Sequence, residues 1–331
     1  MPAIADLRLF QMGKEATRGT AVPATSKCAV ENIDFEPEDT IYRPRLARGL
    51  IVRNSGGDTV VMRGTKWTIP DCPVSYEQLQ NWLSMSVVGV SAPTGAGPYV
   101  WTYTRNPAAE PAPISWTLER RLTDGSTPKD NEWTYCLASK IAIKAAREEA
   151  LKFSVEGFAR RIQSSTLTAA MSMPTIEVPP HALSRIYVDS TWAALGTTNV
   201  AGQLLNWEVE FTTGLKPIFT ADNRSDLDFQ SYVIDSADVQ IRARLQMLVA
   251  AQYDTEKTAA EAGTLRAIRL QADGTSGRQL QIDFLARHSR GSVFKVGEEQ
   301  GQDIVEMELE EATDGTNLIS FKLTNNVATM T

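Results

Sequence analysis

Two histidines, three cysteines and a few adjacent carboxylates are the groups in this 331-residue chain with the most chemistry to offer. Their spacing denies them the usual partnerships. His181 and His288 lie far apart, each without a second metal-binding residue in a recognisable pattern, so a metal centre or a histidine base is poorly supplied. Cys28, Cys72 and Cys136 are odd in number and widely spaced, which fits reduced, partly buried thiols rather than a zinc or redox motif. Glu148 with Glu149, and Glu310 with Glu311, are sequence neighbours. In a strand they face opposite ways, the wrong geometry for an acid–base pair. No glycine-rich phosphate loop or nucleophile elbow occurs. These residues point away from catalysis and imply no cofactor and no metal.

The formal charge of −7, from 33 basic and 40 acidic residues, argues against a surface that grips a nucleic-acid backbone through many phosphate contacts. It leaves room for a surface past which DNA slides. No run of about 18 apolar residues offers a membrane span, and the N-terminal residues lack the basic-then-apolar order of a secretory signal. Synthesis in the cytoplasm is the expectation.

The elements that must position any functional surface read as strands. Alternating segments rich in aromatic and β-branched residues recur as TKWTIP, YVWTYT, ISWTLERRL, WTYCLASKIAIKA, LKFSVEGF, NWEVEFTT, DVQIRARL, LRAIRLQA, LQIDFLAR, IVEMELEEA and LISFKLTNN. Turn signals such as NSGGD, TDGS, ADGTSG and TDGTN separate them. Two stretches read as helices. SYEQLQNWLSMS opens with Ser75 three residues before Gln78, a capping-box signature, and sets Tyr76, Leu79 and Leu83 on one face with Trp82 beside them. ARLQMLVAAQYDTEKTAAEAG is rich in strong helix formers and stops at Gly263.

The order of elements repeats. A strand near Phe35 runs into a long loop, returns as TVVMRGTKWTIP, enters the helix after Ser75 and is followed by strands ending at LKFSVEGF. NWEVEF likewise runs into a long loop, returns as YVIDSADVQIRAR, enters the second helix and is followed by strands ending at LISFKLTNN. This predicts a tandem duplication with a period of about 165 residues, and a seam near 170 where Ser, Thr and Pro accumulate. The fold class expected is mainly β with a few helices, as two tandem β-sandwich or barrel domains, 1–170 and 171–331, each with a flanking helix.

In LLNWEVEFTTG, Trp207, Val209 and Phe211 alternate with Asn206, Glu208 and Glu210, so one face of that strand is core and the other acidic. Glu306, Glu308 and Glu310 in IVEMELEE follow the same pattern. Arg43, Arg45, Arg48 and Arg53 lie in a basic loop unusually long for a hairpin, and TGLKPIFTADNRSDLDFQ, with Lys216 and Arg224, is its counterpart in the second half.

The N-terminal segment QMGKEATRGTAVPATSKCAVENIDFEPED, with Gly13, Lys14, Glu15, Gly19 and Thr20, resembles the opening of siphophage tail tube proteins. The arginine-rich loop, RGTKWTI, SRIYVDSTWAALGTT and LLNWEVEFTTGLKPIF follow in the family's order. The resemblance implies tube domains whose inner sheets close edge to edge into a barrel. For a chain with two such domains it implies trimeric rings of pseudo-sixfold symmetry, stacked into a virion tail. It implies as partners other copies of the chain, a tape-measure protein, and tail tip or terminator proteins, with DNA passing through the lumen without specific binding and no membrane involved. Glu208, Glu210, Glu306, Glu308 and Glu310 are then the candidate lumen lining, where an acidic wall would repel a duplex. Arg43, Arg45, Arg48, Arg53, Lys216 and Arg224 are the candidate inter-subunit or inter-ring contacts. Another virion role, such as a terminator, distal tail or decoration protein, or a carbohydrate-binding β-protein, is the alternative.

Overall fold

Period-two alternation dominates the chain, and the computed structural model is accordingly mainly β. It describes residues 7–44, 57–88, 90, 92–123, 126–221, 225–250, 252–289, 295–299 and 301–330. Strands β1 (Leu9–Lys14), β2 (Ser26–Lys27), β3 (Asp34–Pro37), β4 (Thr40–Tyr42), β5 (Thr59–Met62) and β6 (Thr65–Pro73) precede helix α1 (Leu79–Ser86). Then come β7 (Tyr99–Arg105), β8 (Trp116–Leu122), β9 (Lys129–Ala145), β10 (Lys152–Ala159) and β11 (Gln163–Ser164). In the second half β12 (Ser184–Asp189), β13 (Leu204–Ile218) and β14 (Ser231–Leu248) precede α2 (Gln252–Ala262). The strands β15 (Arg266–Asp273), β16 (Gln279–His288), β17 (Lys295–Glu299), β18 (Gln302–Glu311) and β19 (Ile319–Asn325) follow it. Each segment that alternation marks as a strand lies within one of these or overruns it by no more than two residues at an end.

The helices depart from expectation. Residues 243–248, read as the start of the second helix, are the end of β14, with Ala243, Leu245 and Met247 buried in alternation with the exposed Arg242 and Arg244 and the half-buried Gln246. Their strong helix propensity yields to a period of two that buries three apolar side chains. The capping box also fails to form. Gln78 sits at the N-terminus of α1 without a side-chain cap bond, and its amide instead accepts from the Ala29 N–H at 2.5 Å and donates to the Lys27 carbonyl. All eight residues of α1 are buried: the Ser84 and Ser86 hydroxyls donate back to carbonyls of the helix itself, while Ser84 also receives Trp116 Nε1 at 3.0 Å and Gln80 receives the Asn325 amide at 2.9 Å.

One eight-stranded, wholly antiparallel sheet runs in the order β3–β6–β10–β9–β13–β14–β18–β17. Strand β9 shifts register between Ala138 and Lys140, and its N-terminal part enters a second layer beside β8, which pairs with β1. In the second half that layer is β12–β15–β16–β19–β7. The pairing order thus recurs. The run β3–β6–β10–β9–β8–β1 in the first half matches β13–β14–β18–β17/β16–β15–β12 in the second, with α1 and α2 at the same place in the chain order. The counterpart of β10 (LKFSVEGF) is therefore β18 (IVEMELEE). The last strand, β19, has no first-half equivalent and pairs with β7.

The halves share one apolar cluster containing the buried Trp67, Trp82, Trp101, Trp116 and Trp133 together with Trp207, Phe284 and Phe321. Hydrogen bonds cross between them as well. The Tyr76 hydroxyl donates to the Ala272 carbonyl at 3.1 Å, and the Asn325 amide donates to the Tyr76 carbonyl at 2.7 Å. Around the seam expected near 170 there is no gap. Leu167 N–H bonds Asp130 at 3.0 Å, Thr168 N–H bonds Glu119 at 2.8 Å, and Arg278 joins Glu77 to Glu177.

Helix α2 is fastened by charge rather than by a broad apolar face. Glu256 is buried, receives Arg266 Nε at 3.0 Å and lies 3.3 Å from His288 Nε2. Burial opposes its charge, but hydrogen bonds from His288 and Arg266 outweigh that and bring the carboxyl down to about 2. A depressed carboxyl stabilises the fold fully above its unfolded value of 4.5, and this contribution drains away as pH falls toward 2. It amounts to about 3 kcal/mol. Urea midpoints at pH 7 and pH 3 should therefore fall apart more for the native chain than for Glu256→Gln, which starts lower; equal drops would refute the assignment.

Candidate functional site

The solvent face of the eight-stranded sheet brings together all five carboxylates singled out in the sequence, together with cations that sequence alternation alone does not put beside them. On β13, Glu208 lies directly opposite Lys144 of β9 on one side and Arg244 of β14 on the other. Glu210 faces Arg242 across the ladder and holds Lys140 Nζ at 2.8 Å. On β18, Glu308 and Glu310 lie opposite Arg244 and Arg242, with Arg244 Nε 3.9 Å from Glu308, and Glu306 lies opposite Gln246. Glu156 of β10 sits 3.6 Å from Lys66 and 3.8 Å from Lys140. The acidic wall expected from single strands is thus corrected to a striped one, in which rows of carboxylates alternate with rows of lysine or arginine. These pairs are solvent-exposed and stabilise the fold by roughly 0.2–1 kcal/mol each. Their larger effect is on the field, since opposite rows one strand apart cancel well within a Debye length of about 8 Å. Where β9 ends and β13 begins, a cleft of about 270 Å³ is lined by Lys144, Lys152, Arg244, Glu149, Glu208 and Glu306, again with both signs of charge.

This sheet has two open edges. Among the described residues, β3 pairs only with β6 and β17 only with β18. At one edge Asp34 and Glu36 are exposed, while Phe35 stacks on Trp133 with ring centroids 3.6 Å apart. At the other, Val296 is 56% exposed. An unpaired row of backbone N–H and C=O groups is a template for another strand.

The basic loops differ between halves. Strands β4 and β5 form a separate two-stranded ribbon with Ile41, Tyr42 and Val61 exposed, and Arg43 Nε lies 3.9 Å from Asp58 just past the paired residues. The second-half ribbon instead lies against the first half, where Leu215 and Phe229 cluster with Tyr135, Leu137 and Phe158. There Lys216 is held by Asp235 at 2.8 Å and Asp238 at 2.5 Å. These hydrogen bonds raise its pKa and occupy its charge locally. Arg45, Arg48, Arg53 and Arg224 lie outside the described residues.

The GKEATRGT segment has a clear local job. The buried Glu15 receives the Gly19 N–H at 2.6 Å and the Ser115 hydroxyl at 2.6 Å on one oxygen; the other takes the Tyr135 N–H at 2.7 Å and the Thr117 hydroxyl at 3.1 Å. Gly19 has φ +73°, and a Cβ there would lie 2.4 Å from the Arg160 guanidinium. A second carboxylate repeats the device. The buried Asp189 receives the Gly196 N–H at 2.9 Å and the Thr197 hydroxyl at 2.7 Å, Gly196 has φ +94°, and its missing Cβ leaves room for Arg269 at 2.5 Å. Burial opposes the charge of Asp189, yet bonds from Thr197, Thr198 and Gly196 hold its carboxyl below the usual range. The sequence signal for this pair is an acidic residue closing the first strand of each half and a Gly-Thr a few residues later. Alternation and spacing alone give neither carboxylate a role.

The three cysteines and both histidines are buried. Burial pushes the thiols of Cys28, Cys72 and Cys136 up, and all three are free. Burial lowers His181, while His288 belongs to the Glu256 cluster. Among the described residues, no group of three or more His, Cys, Asp and Glu could hold a metal ion, and no helix is long and apolar enough to cross a membrane. Compared with known proteins, the chain matches no family model and no curated protein.

Proposed function

We propose that this chain is a structural protein of a phage tail tube, in which copies close into rings and the rings stack into a conduit for DNA. The observation that carries the reading is the eight-stranded sheet, two topologically equivalent four-stranded units side by side with open edges at both ends. A unit joined to its own repeat and left unpaired at both sides has the two edges that a ring segment needs, and head-to-tail joining closes into a ring where the repeated rotation returns on itself. Three such chains give roughly 24 strands, and at about 4.8 Å spacing and a tilt near 40° the barrel diameter is about 45–50 Å. With side chains subtracted, a duplex fits.

The resemblance in GKEATRGT and the segments after it supports the same reading, as does the sheet's charge-striped face. If that face lines the lumen, a polyanion meets a wall whose rows neutralise one another, so that it is neither held nor strongly repelled. A tape-measure protein, tail tip and terminator proteins are the further partners, and the virion tail is the location. Negative-stain electron microscopy of the purified protein tests the reading. Rings of three copies with six similar lobes, stacking into tubes of unlimited length, are the expected image. A particle that stays monomeric at every concentration and salt, or closes without stacking, would sink it.

A further inference from the structure

We infer that copies of this chain join edge to edge with β3 of one antiparallel to β17 of the next, Asp34 opposite Gly297, Phe35 opposite Val296 and Glu36 opposite residue 295. The inference rests on the ring reading and adds to it a strand register.

The molecule contains its own template for this contact. Strands β9 and β13 join the two halves, with Glu208 opposite Lys144, Val209 opposite Ile143 and Glu210 opposite Ala142. Through the repeat, β13 corresponds to β3 and β9 to β17. Residue equivalences follow from the point where the second layer's hairpins end. The last pair of β8 and β9 is Trp116 with Cys136, and the last pair of β15 and β16 is Arg266 with Ala286, so Cys136 corresponds to Ala286. One residue on, Leu137 lies opposite Phe158 and Arg287 opposite Glu310, which equates Phe158 with Glu310.

Four residues back along those strands, Ser154 corresponds to Glu306. Ser154 lies opposite Ala142 and Glu306 opposite Lys295, so Ala142, Ile143 and Lys144 correspond to Lys295, Val296 and Gly297. In the other direction Phe158 lies opposite Lys66, which lies opposite Glu36; Glu310 lies opposite Arg242, which lies opposite Glu210. Asp34, Phe35 and Glu36 therefore correspond to Glu208, Val209 and Glu210. Carrying the internal junction over to the open edges gives the stated register.

The register makes physical sense at each position. It sets Val296, exposed at the free edge, beside Phe35, as Ile143 lies beside Val209 within the chain. A slip of one residue would turn every side chain of the incoming strand to the wrong face. The exposed Glu36 would stand across from a residue that the sequence gives as lysine.

Paired cysteines test this in the full chain. Directly opposed residues of an antiparallel pair have Cα atoms about 4.5–5.5 Å apart, within disulfide reach, whereas a shift of two residues moves the pair to about 7–8 Å. The three native cysteines are buried and should not compete. A chain with Asp34→Cys and Gly297→Cys, treated with oxidised glutathione under assembling conditions, should give a ladder of linked copies on a non-reducing gel. Glu36→Cys with Gly297→Cys should give several-fold less. No linkage in the first chain, or more in the second, overturns the register. Hydrogen exchange of the unmodified chain is the second readout: residues 34–37 and 295–299 should gain protection on assembly, and unchanged exchange there also overturns it. Linked rings that never stack leave the register standing and sink the tube reading. Tubes without the linkage do the reverse.

Discussion

Replacing Glu15 with alanine should lower the stability of the fold by about 3–5 kcal/mol, because three of the four donors it serves, on Ser115, Thr117 and Tyr135, are buried and lose their only carboxylate. Gly19 N–H and the Ser115 hydroxyl share one of its oxygens, and Tyr135 N–H and the Thr117 hydroxyl share the other. Glutamine should rescue little of this. Each oxygen receives one fixed backbone N–H, so either orientation of the amide sets an NH₂ group against a donor that cannot turn away. Tyr135 itself has φ +55°, a left-handed conformation for a residue with a side chain, and it sits near the bend that carries β9 from one layer into the other. The Glu15 bond to its N–H helps hold that conformation. Urea unfolding of Glu15→Ala and Glu15→Gln checks the point. A loss below about 1 kcal/mol for both, the range of an ordinary surface change, would mean that the carboxylate is dispensable.

The second large effect concerns the striped face. Changing Glu208, Glu210, Glu306 and Glu308 together to glutamine should leave the fold intact, since these residues alternate with the buried ones and face water. It should also remove four of the carboxylates from the rows that flank Lys140, Lys144, Arg242 and Arg244, while Asp71, Glu156 and Glu310 stay beside Lys144, Lys140 and Arg242. The charge of the face then shifts by four units toward the positive, and the cation rows lose most of the negative charge beside them. If a duplex engages about four of these cations, its affinity should fall with log salt at a slope of about −3.6, which is roughly 100-fold between 50 and 200 mM. The native chain should show little binding over the same range. Fluorescence anisotropy with a labelled duplex measures both. A variant that gains no affinity, or gains it without salt dependence, would show that the cation rows are not available to a polyanion on this face.

The two effects come from opposite sides of the same strands, and they differ in how much of them the sequence exposes. Outward carboxylates are visible at once in NWEVEF and IVEMELEE, because a strand sends alternate side chains to opposite faces. The role of Glu15 is not visible in that way. Its partners, Ser115, Thr117 and Tyr135, lie about 100 residues or more along the chain, and only the pairing of β1 with β8 and of β8 with β9 draws them together. The second helix shows the limit from the other side. Residues 243–248 have the composition of a helix, yet an apolar period of two and a sheet on both sides make them a strand.

Local chemistry thus determined much of this protein. The strands, their inward and outward faces, the recurrence of element order and the sign of charge on each outward row all follow from backbone geometry and residue type over a few positions. What only the tertiary structure decided is which row lies beside which. Glu208 stands between Lys144 and Arg244, and Glu15 reaches Tyr135, because strand pairing is a long-range choice made by the burial of a common core. For that reason a chain whose single strands read as an acidic wall folds into a sheet whose charges are paired across neighbouring strands.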